Sequence, residues 1–270
     1  MLTKEQSIPP AAIDAHTRLL QSDAYRRMLA EDKHHNPEAF LSVTRQVFEG
    51  VQLAGARVLE IGSGRGLISI YLAAHGASVV SLEPELVGST AGVIETQQRR
   101  CAELGVRVET VPADFNTWET DERFDVIVSR ASINHLYASE HHAAHHPETF
   151  AAYLAVAKRV KRLLKPGGVF VATDGVRYNF WKMARKWVKR PDETARSGVN
   201  WRHHQNAGTW GRIFAAAGFQ PIALDYHTPH RYRSYRWALN NRVGNFWLGG
   251  RFIMKAWNNS DARKPVEAEV

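Results

Sequence analysis

The stretch "VLEIGSGRG", Val58 to Gly66, constrains the fold more than any other part of the chain. Apolar residues flank a carboxylate, Glu60, and run at once into glycines at 62, 64 and 66. Glycine enters left-handed backbone without a Cβ clash, so such a loop turns tightly and lets a ligand approach the main chain. "ARVLEI" before it reads as a strand, and "RGLISIYLAAHG" after it as a helix ended by Gly76.

The same alternation continues. "ASVVSLE" is a strand, "PELVGSTAGVIETQQRRCAELG" holds a helix, and "VRVETVPADF" and "FDVIVSR" are strands. "ETFAAYLAVAKRVKRLLKPGG" reads as a long helix stopped by Pro-Gly-Gly, followed by the strand "VFVATDG". "GTWGRIFAAAGF" is a helix, and "QPIALDY" and "RFIMKAW" are the last strands. Strands joined by helices at this spacing imply a parallel sheet. The unbroken apolar character of "DVIVS" and "VFVAT" suits strands covered on both faces. Residues 1–50 read as a polar helical cap, 51–257 as one α/β domain with insertions at about 175–204 and 227–250, and 258–270 as a polar tail.

A chain of 270 residues supports one sizeable core. "MLTKEQSIPP" has no apolar core of a secretory signal, and no run is long enough to span a bilayer. The lone cysteine, Cys101, forms no internal disulfide. These features lead us to expect a cytoplasmic protein.

A dinucleotide fingerprint needs a third glycine where this chain has Leu67, and Glu60 is a poor neighbour for a pyrophosphate. A carboxylate there suits a nucleoside that carries an ammonium. "VLEIGSGRG" resembles the first motif of the class I S-adenosylmethionine-dependent methyltransferases, and the match extends over roughly residues 55–175 through "LLKPGGVFVATD". The resemblance implies a Rossmann-like α/β fold, a mostly parallel seven-stranded sheet with helices on both faces and a reversed strand near the C-terminus. It implies that S-adenosylmethionine lies along Gly62, Ser63, Gly64 and Gly66, with Glu60 near its ammonium. Glu83, beside Pro84, matches the acid that accepts both ribose hydroxyls. Asp114 matches the acid near the adenine amine, with Phe115 beside the ring and Arg130 ending the fourth strand in the same site.

After that strand, nucleic-acid amino-methylating relatives place a Pro-Pro-aromatic motif, whereas this chain has "SRASINHL". The motifs of cysteine-nucleophile, arginine-methylating and magnesium-dependent branches are also absent. A small-molecule or lipid-linked acceptor is therefore expected, methylated on oxygen or nitrogen, and nucleic acid is disfavoured. A proton-bearing nucleophile gains from a general base, and histidine titrates in the right range. His135 is the first such residue at a strand end; His203 and His204 in "NWRHHQN" follow, and Tyr178 and Asp174 line the same mouth. In "EHHAAHHPE", a helix would pair His141 with His145 and His142 with His146, but no third ligand is evident, so no metal is expected. A non-catalytic partner subunit that binds the nucleoside is the alternative from another class.

The net charge of +8 is concentrated late. Six Lys or Arg and no acid lie between Gly175 and Pro191, and another six with no acid between Tyr226 and Ser260. In "YNFWKMARKWVKR" a helix would gather Phe180, Trp181, Ala184, Trp187 and Val188 into an apolar stripe, with Lys182, Lys186 and Lys189 largely off it. That pattern leaves three readings open: a lid, a pocket for an acidic substrate, and a peripheral contact with the inner membrane surface.

Overall fold

A computed structural model describes residues 14–85, 91–137, 139–187, 201–228 and 230–259. Expectations for residues 1–13, for Val188 and Lys189, and for the tail past 259 lie outside the described residues. Three helices open the chain, α1 (Ala15–Gln21), α2 (Asp23–Glu31) and α3 (Pro37–Val47). Ser22 separates the first two, because its hydroxyl accepts the Tyr25 N–H at 3.2 Å and starts a new helix. Asn36 caps α3 in the same way, ahead of Pro37 at the first helical position.

The sheet then builds through β1 (Arg57–Ile61), α4 (Leu67–Ala74), β2 (Ser78–Leu82), α5 (Val93–Glu103), β3 (Val108–Val111) and β4 (Phe124–Arg130). It continues with α6 (Pro147–Leu163), β5 (Leu164–Gly175), α7 (Phe180–Trp187), α8 (Ala207–Ala216) and β6 (Ile222–Tyr226). Two short helices, α9 (Arg236–Leu239) and α10 (Arg242–Leu248), lead to β7 (Arg251–Trp257). The strand order is β3-β2-β1-β4-β5-β7-β6. Only β7 runs against its neighbours, so the expected reversed strand is in place.

Strand alternation divides the core into two layers. Val58, Val79, Val126, Val128, Val171 and Ile253 face α1–α5, whereas Leu59, Leu82, Ile127, Phe170 and Phe252 face α6 and α8. Helix α6 ends earlier than expected, at Leu163, because the residue before Pro166 is driven out of helical conformation. The strand register then shifts between the Phe124 and Val126 pairings, where a Cβ on Gly168 would lie 2.9 Å from the Lys165 carbonyl.

One buried cation anchors the N-terminal helices to this frame. Arg100 of α5 has no exposed side-chain surface and bonds Asp32 at 2.8 Å and Glu31 at 2.9 Å. Its guanidinium also reaches the Met28 and Arg65 carbonyls. Removing one member of a buried pair strands the other charge. We expect Arg100→Ala to lower stability by about 3 kcal/mol, the low end of the range for buried pairs, because Glu31 keeps access to water. Urea unfolding reads this as a fall in midpoint at constant slope; an unchanged midpoint shows that the pair anchors nothing.

Candidate functional site

The order of strands reverses between β1 and β4, so both crossovers leave a crevice at the carboxyl ends of these two strands. The glycine loop occupies it. Gly62, Gly64 and Gly66 all have left-handed φ, at 72°, 52° and 81°. A Cβ on Gly62 would lie 2.6 Å from that of Ser132, and one on Gly66 would lie 2.5 Å from Cγ of Gln97. Ser132 is fixed by donating to the Ile61 carbonyl at 2.6 Å. Gln97 joins Ser63, Ser69 and Ser81 by hydrogen bonds beneath the loop. Sequence reasoning missed Gln97, a lone amide in a helix with no local signal.

The acids fall where the sequence placed them along the strand ends. Glu60 is 2% exposed and accepts a hydrogen bond from the Ser69 hydroxyl. Burial pushes its carboxyl up to about 8, against the downward pull of Ser69 and Arg130. Glu83, just past β2 and beside Pro84, is buried and accepts the Gly64 N–H at 2.7 Å, tying the second strand to the loop. Burial raises its pKa, opposed by that bond. Asp114 is exposed beyond β3 and accepts the Asn116 N–H at 2.7 Å in a local turn.

Phe115 differs from its expected place. Its ring is 2% exposed in the α6 layer with the Arg159 guanidinium 5.4 Å from its centroid, so it presents no free face for stacking. Arg130 lies on the α1–α3 face of β4 with its guanidinium 4.5 Å over Phe40. Burial and the neighbouring Arg251 bring its pKa down to about 10. Ala131, next in the chain, holds a left-handed φ of 56°, a strained turn for a non-glycine residue.

His135 ends the short helical turn Ile133–His135 after β4 and is exposed. Its ring meets that of His204 edge-on, with centroids 5.5 Å apart. His204 is buried, with Nδ1 3.0 Å from the Gly175 carbonyl and 3.6 Å from Asp174 Oδ1. The Asn134 amide nitrogen also lies 3.2 Å from Nδ1, so that ring nitrogen meets both a donor and an acceptor. Nε2 is buried and has no partner among the described residues. Burial lowers the His204 pKa against the upward pull of Asp174, so the ring is neutral. Asn134 holds the group together: its oxygen accepts from Gln205 N–H and the Trp210 indole. His203 contributes its carbonyl to Tyr153 and Gln205. Asp174 lies behind His204, whereas Tyr178 is exposed.

The remaining histidines form no helix over 141–146. His141 stacks on His146 at 4.2 Å, and His146 caps α6 by accepting the Thr149 N–H. The first-turn signal was present all along, since His146 precedes Pro147.

This geometry fits the cofactor that the resemblance implies. A loop without room for Cβ atoms admits a ligand against its backbone, and a buried carboxyl ionises at low cost only beside a cation. An ammonium next to Glu60 favours the charged form, so it pulls the pKa below about 8 and releases a proton on binding. Affinity for S-adenosylhomocysteine should therefore rise with pH up to that value. Calorimetry at pH about 7 in buffers of different ionisation heat should show the release, and Glu60→Gln should abolish it. A wild-type protein that releases no proton would separate Glu60 from the ammonium.

Residues 16–224 match the family described as a methyltransferase domain. The tRNA1(Val) (adenine(37)-N6)-methyltransferase of Bacteroides fragilis is 31% identical over 125 residues, 43% of this chain and 51% of that protein. The ubiquinone biosynthesis O-methyltransferase of Pseudomonas putida is 30% identical over 128 residues, 46% of this chain and 47% of that protein. The chain thus spans about half or less of the length of the curated relatives it matches. An S-adenosylmethionine-dependent methyltransferase from Mesorhizobium loti superposes with a TM-score of 0.56 at 17% identity, over 81% of this chain and 97% of that one. Another, from Aquifex aeolicus, gives 0.50 at 15%, over 79% and 88%. These structures share the fold, and the family match covers most of the chain. The chain belongs to the methyltransferase-domain family, S-adenosylmethionine-dependent enzymes of the class I Rossmann-like fold.

Proposed function

We propose that this methyltransferase acts on a small-molecule or lipid-linked acceptor, at an oxygen or nitrogen atom that loses a proton. The observation that carries this reading is the alignment of His135, His204 and Asp174 at the carboxyl ends of β4 and β5. S-adenosylmethionine supplies an already activated methyl group. The protein must then align the acceptor and remove its proton. His135 is the exposed member of the alignment and the group that takes the proton. His204 stays neutral behind it, adding no positive charge against the imidazolium, and Asp174 supplies a negative one. The ubiquinone-pathway relative, named as an O-methyltransferase, supports this acceptor class. The tRNA relative supports a nucleic-acid alternative, but Ser129-Arg130-Ala131-Ser132 spans the end of the fourth strand here, without the proline pair that grips an extruded base.

Transfer of a labelled methyl group from S-adenosylmethionine to cell extract, then fractionation, tests the reading. Label should enter the small-molecule or lipid fraction; label in RNA alone would overturn it. His135→Ala should lower kcat by roughly 10²-fold or more while changing S-adenosylhomocysteine affinity by less than about twofold. Near-normal turnover would leave His135 a packing residue.

We also infer that the two insertions rest on an anionic bilayer. Trp181, Met183, Tyr235, Trp237, Val243 and Trp247 are exposed there, Trp237 at 86%. Helices α7 and α10 join through Phe180 and Trp247, whose rings are 4.4 Å apart. Beside them runs a groove of about 650 Å³ lined by Leu239, Val243, Trp247 and Leu248. Exposed tryptophans within an acid-free, basic stretch suit a lipid interface. No helix among the described residues is long and apolar enough to cross a membrane. Flotation with phosphatidylserine-containing vesicles at low salt should carry the wild type upward, and Trp237→Ala with Trp247→Ala should leave it behind. A wild type that stays in the dense fraction would exclude the bilayer.

A further inference from the structure

The face of the sheet that carries Glu60 also carries a pair of arginines that the methyl donor's loop does not use. Arg130 lies opposite Thr173 of β5, Thr173 opposite Ile253 of β7, and Arg251 opposite Gly175. Side chains alternate along strands, so Arg130, Ile253 and Arg251 share the side covered by α1–α3. Glu60 lies opposite Val128 on that side, one strand away from Arg130. Gly175, opposite Arg251, has no side chain of its own, and the Trp201 ring lies 2.6 Å from where its Cβ would be.

Two imidazoles complete the group. The His34 ring is 4.7 Å from Phe40, the ring over which Arg130 sits. His227 follows β6 and donates its backbone N–H to the Arg251 carbonyl at 3.1 Å. Burial first, then Arg251 and Arg130, lowers the His227 pKa to about 4. Burial and Arg130 lower that of His34. Both rings are therefore neutral near pH 7, each with an N–H to donate and no charge of its own.

No carboxylate answers this charge. Among the described residues, neither guanidinium makes a side-chain hydrogen bond or an ion pair. Asp32 is spent on Arg65 and Arg100. Glu60, one strand from Arg130, keeps a pKa raised by burial to about 8 despite the pull of Arg130, so it is mostly protonated near pH 7. Two guanidinium groups held at one strand edge without a counter-ion repel each other, and an oxyanion between them removes that cost.

We propose that Arg130 and Arg251, flanked by His34 and His227, form an oxyanion subsite that holds a carboxylate or phosphate group of the methyl acceptor. The proposal rests on the reading of this protein as a small-molecule methyltransferase and adds that its acceptor is an acid. A planar guanidinium meets either group through two parallel N–H donors, so the subsite fixes the acceptor's orientation as well as its charge.

Inorganic phosphate is the probe, titrated by calorimetry into the protein saturated with S-adenosylhomocysteine. Arg251 is exposed, so Arg251→Gln removes charge without opening the core. It should weaken phosphate by at least about tenfold while changing S-adenosylhomocysteine affinity by less than about twofold. Arg130→Met, which keeps an apolar chain over Phe40, should weaken phosphate likewise; Arg251→Gln alone carries the test of unchanged S-adenosylhomocysteine affinity. Phosphate binding that is absent in the wild-type complex, or equal in the wild type and both variants, overturns the subsite. Loss of S-adenosylhomocysteine affinity in step with phosphate also overturns it, because the pair then holds the carboxylate of the cofactor. A wild type that binds no S-adenosylhomocysteine defeats the parent reading instead, and the two failures are distinct.

Discussion

A carboxyl group buried at the end of β1 sets the terms for everything around it. Glu60 sits where the apolar strand meets the glycine loop, with one hydroxyl, that of Ser69, for company. Ionising it there without a cation is costly, so burial raises its pKa toward neutrality. The surrounding polar groups are recruited to hold this arrangement. Ser69 bonds Gln97, Gln97 bonds Ser63 and Ser81, and Gln97 also fills the space that a side chain at Gly66 would need. The loop therefore keeps its left-handed course because packing beneath it leaves no other, and Glu83 closes it from the second strand. A charge-seeking carboxyl and a side-chain-free loop are two halves of one constraint.

Much of this was legible in the sequence because its signals are local. Strand alternation, the glycine spacing and the acids at strand ends depend on residues within a few positions of one another. Seven strands appeared where the pattern put them, with errors confined to ends. The strand read over 106–115 is ordered only over Val108–Val111, ahead of Pro112, and α6 stops before its proline. What the sequence hid depends on residues far apart. Arg100 meets Asp32 across 68 positions, and His204 meets Asn134 across 70. The placement of the Phe115 ring was hidden for a related reason. Its neighbour Asp114 is exposed, and alternation alone could not say that the ring turns under Arg159 into the α6 layer.

The crevice is polarised across the sheet. Asp174 and His204 lie on the α6–α8 face of its carboxyl edge, where Phe252 marks the layer. Glu60, Arg130 and Arg251 lie on the α1–α3 face. The Asp174–His204 contact and the arginine pair thus lie on opposite faces of the sheet. Burial, against the pull of Asp174, is what keeps His204 neutral with a carboxylate at its back.

The basic insertions are mechanically continuous with that cationic face. The second insertion leaves the sheet after His227 and re-enters it at Arg251, so both of its roots are members of the arginine–histidine group. The first insertion is locked to the same root. Val176 donates to the Gly250 carbonyl at 2.7 Å, and a Cβ on Gly250 would lie 2.2 Å from Nδ2 of Asn179. Farther out, Phe180 and Trp247 hold α7 against α10. Trp247 thus lies a few packed residues from the root of the second insertion at Gly250 and Arg251. Charge and apolar exposure in this half of the chain follow from one arrangement, in which the elements that meet the surroundings end on the residues that would grip an acidic acceptor.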